Sequence, residues 1–176
     1  MIPNGYGGQQ WLKYGLVCMA LSVLGMACCA AQLNTGASPL PTAGVLLGGH
    51  PFVLELATTP QALQQGLMGR RQVSANGGMA FLFADAPQFR RFWMKGCLVP
   101  LDMVFLNQQR VVHIEHGVQP CLEAESAQNM CPIITTRHNV DMVIELAGGR
   151  SRALGLQLGD RLQWLSPSPL VLPSRR

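Results

Sequence analysis

The sequence is poor in charged residues. Only 12% of its 176 residues are Asp, Glu, Lys or Arg, which is about half of the share typical of a soluble domain. The formal net charge is +4, but the basic residues are mostly scattered arginines, and no lysine-rich run or basic helix is present. Because a nucleic-acid-binding surface requires clustered basic residues, we do not expect a nucleic acid to be a partner.

Several patterns that mark catalytic or metal sites are also missing. The sequence has no phosphate-binding glycine loop and no Gly-x-Ser-x-Gly motif, which would indicate nucleotide binding or a serine hydrolase. The possible metal ligands lack the close Cys-x-x-Cys or His-x-x-x-His spacing of a zinc site. These residues are Cys97, Cys121, Cys131, His113, His116 and His138. We therefore predict no metal and no cofactor.

The most apolar part of the chain lies near its start. One positive charge, Lys13, precedes an almost unbroken apolar run over Leu16–Ala31 that ends in small residues. The run is shorter than the roughly twenty residues that a membrane-spanning helix needs. Its order of positive, apolar and small residues is typical of a secretory signal peptide. We therefore predict that residues 1–31 are a signal peptide or N-terminal anchor, and that the protein is exported to the periplasm or outside the cell.

The fate of this segment is left open by the sequence. Cleavage near Ala31 is the simplest interpretation. A lipid anchor on Cys28 or Cys29 is an alternative, although neither cysteine has a leucine three residues before it. An uncleaved anchor is the third. In every case the membrane would be contacted only through this N-terminal segment.

The remainder of the chain is predicted to form one β domain. Residues 32–44 are a Pro-, Gly- and Ser-containing linker, residues 45–166 the domain, and residues 167–176 a proline-rich disordered tail. Short apolar runs bounded by turn residues indicate many short strands, and therefore a mainly β barrel or sandwich with one or two short helices. Thr59-Pro60 predicts the start of a helix that can continue for one or two turns within Gln61–Met68 and stops at Gly69.

The chain is organised around the segment Phe89–Leu106. It reads FRRFWMKGCLVPLDMVFL, and its apolar residues are interrupted by Gly96 and Pro100. This pattern predicts two strands joined by a turn. It also contains four charges where a plain core strand would have none: Arg90, Arg91, Lys95 and Asp102. The Asp102 carboxylate lies between Leu101 and Met103 and requires a partner or surrounding hydrogen bonds.

Four residues form a candidate ligand-binding site: Arg70, Trp93, Lys95 and Asp102. If Arg70, Lys95 and Asp102 converge, they make an ion cluster that can orient an anionic or carbohydrate ligand. The alternative is a structural pair that fixes the register of two strands. Trp93 is either a plain core residue or a platform on which a sugar or another ring stacks.

The cysteines after the N-terminal segment have separate expected roles. Cys121 and Cys131 flank a short polar loop, so in an oxidising compartment we expect a disulfide between them. Cys97 is then a buried free thiol, the partner in an alternative pairing, or a nucleophile activated by a nearby base.

Six motifs occur in an order that resembles a known family. They are GLMGR (Gly66–Arg70), GGMAFLF (Gly77–Phe83), FWMK (Phe92–Lys95), VPLDMVFL (Val99–Leu106), the pair Pro120-Cys121 and Cys131-Pro132, and LGLQLGDRL (Leu154–Leu162). The set resembles the domain of unknown function 192 family over Val53–Trp164. This resemblance implies a small jelly-roll type of fold, often behind an export signal, and no established activity. The chain departs from the family pattern at Gly96-Cys97, where Asn-Thr is usual.

Three classes of function remain from the sequence. The first is an exported binding or accessory protein for a small anionic or carbohydrate ligand. The second is an enzyme, either a hydrolase or lyase that uses Lys95 and Asp102 as an acid–base pair, or a thiol enzyme that uses Cys97. The third is a purely structural envelope protein. The sequence does not decide whether the protein is an enzyme.

Overall fold

The computed structural model describes residues 39–121 and 131–165, which form nine strands and two short helices. The strands are β1 (Thr42–Leu47), β2 (His50–Ala57), β3 (Gly77–Leu82), β4 (Arg91–Trp93), β5 (Leu101–Asn107), β6 (Arg110–Val118), β7 (Ile133–Thr135), β8 (Met142–Ala147) and β9 (Leu162–Trp164). The helices are α1 (Pro60–Gln65) and α2 (Arg150–Ala153). The prediction of a mainly β fold is confirmed. The predicted signal segment 1–31 and tail 167–176 lie outside the described residues.

Seven strands form one curled sheet in the order β6-β5-β8-β3-β2-β1-β9. Neighbouring strands are antiparallel except β2 and β3, which are parallel and are connected through α1. The two ends of the sheet approach each other, because Arg110 at the start of β6 forms a bridge with Arg161 just before β9. The sheet is therefore a partly closed barrel. Neither described helix is long and apolar enough to cross a membrane.

The central strand β5 is buried on both faces. Val104 and Leu106 pack on one face with residues of β1, β2 and β8, whereas Met103 and Phe105 pack on the other with α1 and β4. Successive side chains of a strand point to opposite sides, so a strand covered on both faces reads as a continuous apolar run. This explains the run around Asp102 that dominates the sequence.

The predicted helix after β2 is present but ends earlier than expected. The Thr59 hydroxyl accepts a hydrogen bond from the Ala62 N–H at 3.2 Å, and Pro60 occupies the first turn, as predicted. Its length of one to two turns is as predicted, but α1 ends at Gln65 and not at Gly69. Gly66 has a φ of 49°, a left-handed value that glycine tolerates and that terminates the helix.

The two strands predicted within Phe89–Leu106 exist, but they do not pair with each other. β5 lies in the large sheet, whereas β4 pairs with β7 in a separate two-stranded sheet. Neither β7 nor β1 was anticipated. β1 begins at Thr42 and turns into β2 through Gly48-Gly49, which have φ values of 58° and 85°. A Gly-Gly pair between two runs is a hairpin signal that was available in the sequence.

The sulfur atoms of Cys121 and Cys131 are bonded to each other, as predicted. The disulfide connects the chain after β6 with the residues that lead into β7. Cys97 is a buried free cysteine.

We expect the Cys121→Ser/Cys131→Ser double variant to lose about 3 kcal/mol of unfolding free energy, because the unfolded chain is no longer closed into a loop. Urea unfolding measures this loss. The single variant Cys97→Ala is the control, because it removes a thiol that closes no loop. Peptide mapping of unreduced protein tests the pairing directly, and alkylation of both Cys121 and Cys131 would contradict it.

Candidate functional site

Asp102 is completely buried at the start of β5. Its carboxylate accepts hydrogen bonds from the backbone N–H groups of Gly117 (2.6 Å), Gly149 (2.8 Å) and Ser151 (2.7 Å). The Ser151 hydroxyl donates a fourth bond at 2.6 Å. The carboxylate therefore connects β5 with the end of β6 and with the turn that leads into α2.

These hydrogen bonds decide the charge of Asp102. Burial alone raises the pKa of the carboxyl group, but the bonds from Ser151, Gly149 and Gly117 outweigh burial and lower the pKa below its usual value. Asp102 is thus a stable carboxylate whose oxygens are occupied by protein donors. It is poorly placed to exchange a proton with a ligand.

A histidine extends this cluster without forming a catalytic triad. His116 Nδ1 lies 2.7 Å from the Ser151 hydroxyl, which also contacts Asp102. In a triad the histidine lies between the serine and the carboxylate, whereas here the serine lies between the other two residues. Ser151 is also fully buried, so the arrangement is that of a structural network.

The structure separates the other predicted site residues from Asp102. Arg70 forms an exposed ion pair with Glu55 at 2.6 Å. The Lys95 ammonium lies 5.5 Å from the centre of the Trp93 ring. Trp93 is 44% exposed, so its interpretation as a core residue is wrong, and an exposed platform describes its position. Met94, its neighbour on the opposite side of the chain, is buried instead.

Trp93 borders a pocket of about 480 Å³ that we call the aromatic pocket. Its wall is formed by the end of α1, by β3, by β4 with the residues around it, and by one residue of β8. The lining residues are Leu63, Gln64, Gln65, Gly66, Leu67, Met68, Phe81, Phe83, Phe89, Arg90, Arg91, Phe92, Trp93, Cys97 and Glu145. Five of the fifteen are aromatic, so the wall is largely apolar.

Glu145 is the acidic residue of the aromatic pocket. It lies on β8 between β3 and β5, opposite Met79 and Met103, and only 4% of its surface is exposed. Its Oε2 atom has no hydrogen-bond partner among the described residues. Burial raises the pKa of Glu145 to about 8, so the carboxyl group is mainly protonated at neutral pH. The sequence analysis did not select this residue, although Glu145 stands between the apolar residues Ile144 and Leu146 just as Asp102 stands between Leu101 and Met103.

Cys97 lines the same pocket beside Glu145. Burial, and then the charge of Glu145, raise the pKa of the Cys97 thiol to about 11. At neutral pH the group is therefore a thiol, and the thiolate required for nucleophilic attack is scarce.

Two arginines border the aromatic pocket and differ in their partners. Arg90 pairs with Asp85 and lies over the Phe83 ring, 3.9 Å from its centre. The Nε–H of Arg90 is buried and has no hydrogen-bond partner among the described residues. Arg91 is exposed, and no partner is present for it in the described part of the chain.

A second pocket, of about 780 Å³, lies beside Arg70 and Glu55. The charges on its wall satisfy each other, because Arg70 pairs with Glu55. Asn76 on the same wall accepts a hydrogen bond from Arg150 at 2.7 Å. The aromatic pocket, with its buried acid and unpaired N–H, is the stronger candidate for a binding site.

We expect Asp102→Asn to lower the unfolding free energy by about 3 kcal/mol, because an amide places its own N–H groups against buried donors. Asp160→Asn is the matched control, since Asp160 accepts one exposed backbone hydrogen bond from Gln157. Urea unfolding of the two variants at pH 7 measures the difference. Equal losses in both would contradict the role assigned to Asp102.

Glu145 should make the protein less stable as the pH rises. Its pKa is raised in the folded state, so its favourable contribution is complete below the unfolded-state value of 4.5 and is lost as the pH rises through about 8. We expect the loss to be roughly 3–5 kcal/mol between these limits. Glu145→Gln removes the titration, so its stability should exceed that of the wild type at pH 8 but not at pH 4.5. Unfolding curves that change with pH equally in both proteins would contradict the assignment.

Comparisons with known proteins place these features in a family. A crystal structure of a Sinorhizobium meliloti 1021 protein, named a "putative transcription regulator", is 33% identical and matches with a TM-score of 0.65 over 73% of this chain and 98% of that one. A crystal structure of a protein of unknown function from Novosphingobium aromaticivorans DSM 12444 is 28% identical, with a TM-score of 0.62 over 73% of this chain and 94% of that one. No curated protein matches the sequence.

The family assignment rests on the sequence of the β domain. The model of an uncharacterised family, DUF192 (Uncharacterized ACR), matches residues 44–164. The match begins in β1 and ends in β9, so it includes both the Asp102 cluster and the aromatic pocket. The chain therefore belongs to the DUF192 family.

Proposed function

We propose that the protein binds a small carbohydrate or organic anion in the aromatic pocket. The observation that carries this proposal is Glu145, a buried acid at a pocket wall whose Oε2 atom has no partner among residues 39–121 and 131–165. An unsatisfied buried polar group costs about 1–3 kcal/mol of stability. A ligand that supplies the missing hydrogen bond removes this cost, so the same free energy contributes to binding affinity.

The dimensions and surface of the pocket support this proposal. Its volume of about 480 Å³ lies within the range of roughly 300–1,000 Å³ that is usual for small-molecule sites. Phe89 and Trp93 are exposed at 60% and 44%, so their rings are accessible for stacking. Arg91 is available for an anionic group. Of the four residues predicted for the site, Trp93 lines this pocket, and Lys95 lies against its ring.

The enzymatic alternatives receive less support from the geometry. Asp102 is occupied by four protein donors, so a Lys95–Asp102 acid–base pair lacks an accessible carboxylate. Cys97 is a thiol of raised pKa. The purely structural alternative leaves the unpartnered Oε2 of Glu145 unexplained.

We also propose that the protein acts outside the cytoplasm. The Cys121–Cys131 disulfide supports this location, since disulfides persist in oxidising compartments. The apolar segment Leu16–Ala31, which precedes the β domain in the sequence, also has the composition of an export signal.

A thermal-shift panel of monosaccharides, sugar acids and small organic anions tests the binding function. A bound ligand should raise the unfolding midpoint of the wild type by a few degrees, since binding to the folded state alone stabilises it. Trp93→Ala should reduce the shift. Leu158→Ala should leave it unchanged, because Leu158 is an exposed apolar residue that does not line the pocket.

In the same experiment, Asp102→Asn distinguishes binding in the aromatic pocket from binding at Asp102. Its own unfolding midpoint should be low, yet the shift that the ligand produces should persist, because Asp102 does not line the aromatic pocket. A shift that disappears in Asp102→Asn but survives in Trp93→Ala would place the ligand at Asp102 and overturn the proposal.

A further inference from the structure

We infer that the ligand of the aromatic pocket is an acidic sugar, with an uncharged oxygen held at Glu145 and its anionic substituent held beside Arg91. The inference rests on the proposed binding function and specifies the chemistry of its ligand. Within the described residues, three features of the pocket carry it: two hydrogen-bonding groups without partners, the lack of a charged partner for Glu145, and the unpaired Arg91 at the rim.

The first feature is a pair of unmet donors. The Nε–H of Arg90 and the Oε2 atom of Glu145 are both buried without a hydrogen-bond partner among the described residues. Burial raises the pKa of Glu145 to about 8, so its carboxyl group is mainly protonated at neutral pH and has a hydrogen to donate. Both residues line the same pocket. Acceptor oxygens of a ligand suit both groups, and the hydroxyl and ring oxygens of a sugar are such acceptors.

The second feature is that no opposing charge is paired with Glu145 in the described part of the chain, where desolvation is the cause of its raised pKa. The elements packed against it contribute Met79 and Met103 from the neighbouring strands, Gly66 from the end of α1, and the neutral thiol of Cys97. Arg90 is already neutralised by Asp85. A ligand carboxylate at this point would face an acid in an apolar wall, so an uncharged oxygen is favoured here.

The third feature is the position of Arg91 at the rim. Arg91 and Trp93 are two residues apart on β4 and are both exposed, so they share one face of the β4–β7 sheet. No ion pair engages Arg91 within the described residues. Its planar guanidinium suits a carboxylate or phosphate, and the adjacent indole ring provides a surface for the body of the sugar.

Titration calorimetry with four probes tests this inference. The probes are D-glucuronate, D-glucose 6-phosphate, D-glucose and D-glucosamine. At pH 6.5, which is below the Glu145 pKa of about 8, we expect the wild type to bind an acidic probe at least about tenfold more tightly than glucose. Arg91→Gln should lower the affinity for the acidic probe to that for glucose. Arg152→Gln is the matched control, because Arg152 is exposed and lies outside the pocket.

The dependence of affinity on pH tests the role of Glu145. Because the protonated acid donates to the ligand, the affinity for glucuronate should fall about tenfold per pH unit above pH 8. The carboxylate of glucuronate stays ionised throughout this range. Glu145→Gln retains an N–H donor, so its affinity should not depend on pH; the wild-type profile decides the question if this variant does not fold.

The outcomes separate the inference from the proposed function. Preference for glucosamine, with an affinity that rises with pH, would mean that ionised Glu145 binds a cation and would overturn the inference alone. Equal affinity for glucose and glucuronate at every pH would also overturn it while leaving carbohydrate binding intact. Absence of binding for all four probes overturns the inference, and absence of binding across the wider thermal-shift panel overturns the proposed function as well.

Discussion

The buried carboxylate of Asp102 is the constraint on which the arrangement of this domain depends. A charge in an apolar core is tolerated only when hydrogen bonds replace its water. Here the donors come from Gly117 near the end of β6, and from Gly149 and Ser151 at the start of α2. One side chain on β5 therefore fixes the end of β6 and the exit from β8. The need of this carboxylate for hydrogen-bond donors therefore constrains the local path of the chain.

A second buried carboxyl group lies on the neighbouring strand and has the opposite character. Asp102 is the Cα partner of Leu146, and Met103 that of Glu145, so the two acids are adjacent in the sheet but point to opposite faces. The hydrogen-bond donors around Asp102 keep its carboxyl group ionised, whereas desolvation keeps that of Glu145 protonated at neutral pH. The first acid stabilises the fold, and the second is presented by a rigid strand to a pocket, where a fixed position favours specific binding.

The sequence predicted features that depend on neighbouring residues better than those that depend on distant pairing. Thr59-Pro60 marked the start of α1, and the disulfide followed from two cysteines around a short loop. The pairing of β4 with β7 joins segments about forty residues apart, and nothing local specifies it. The same limitation affected Glu145, because strand alternation shows which residues share a face but not which face another element covers.

The disulfide has a consequence for the shape of the pocket. β4 carries Phe92 and Trp93 of the pocket wall, and its strand partner is β7. Cys131 lies two residues before β7, and the backbone N–H of Cys121 donates to the carbonyl of Met94 directly after β4. The covalent bond thus anchors the small sheet that holds the aromatic wall. Reduction of this bond would remove a covalent connection beside the aromatic wall, so the proposed binding of a ligand would depend on an oxidised disulfide.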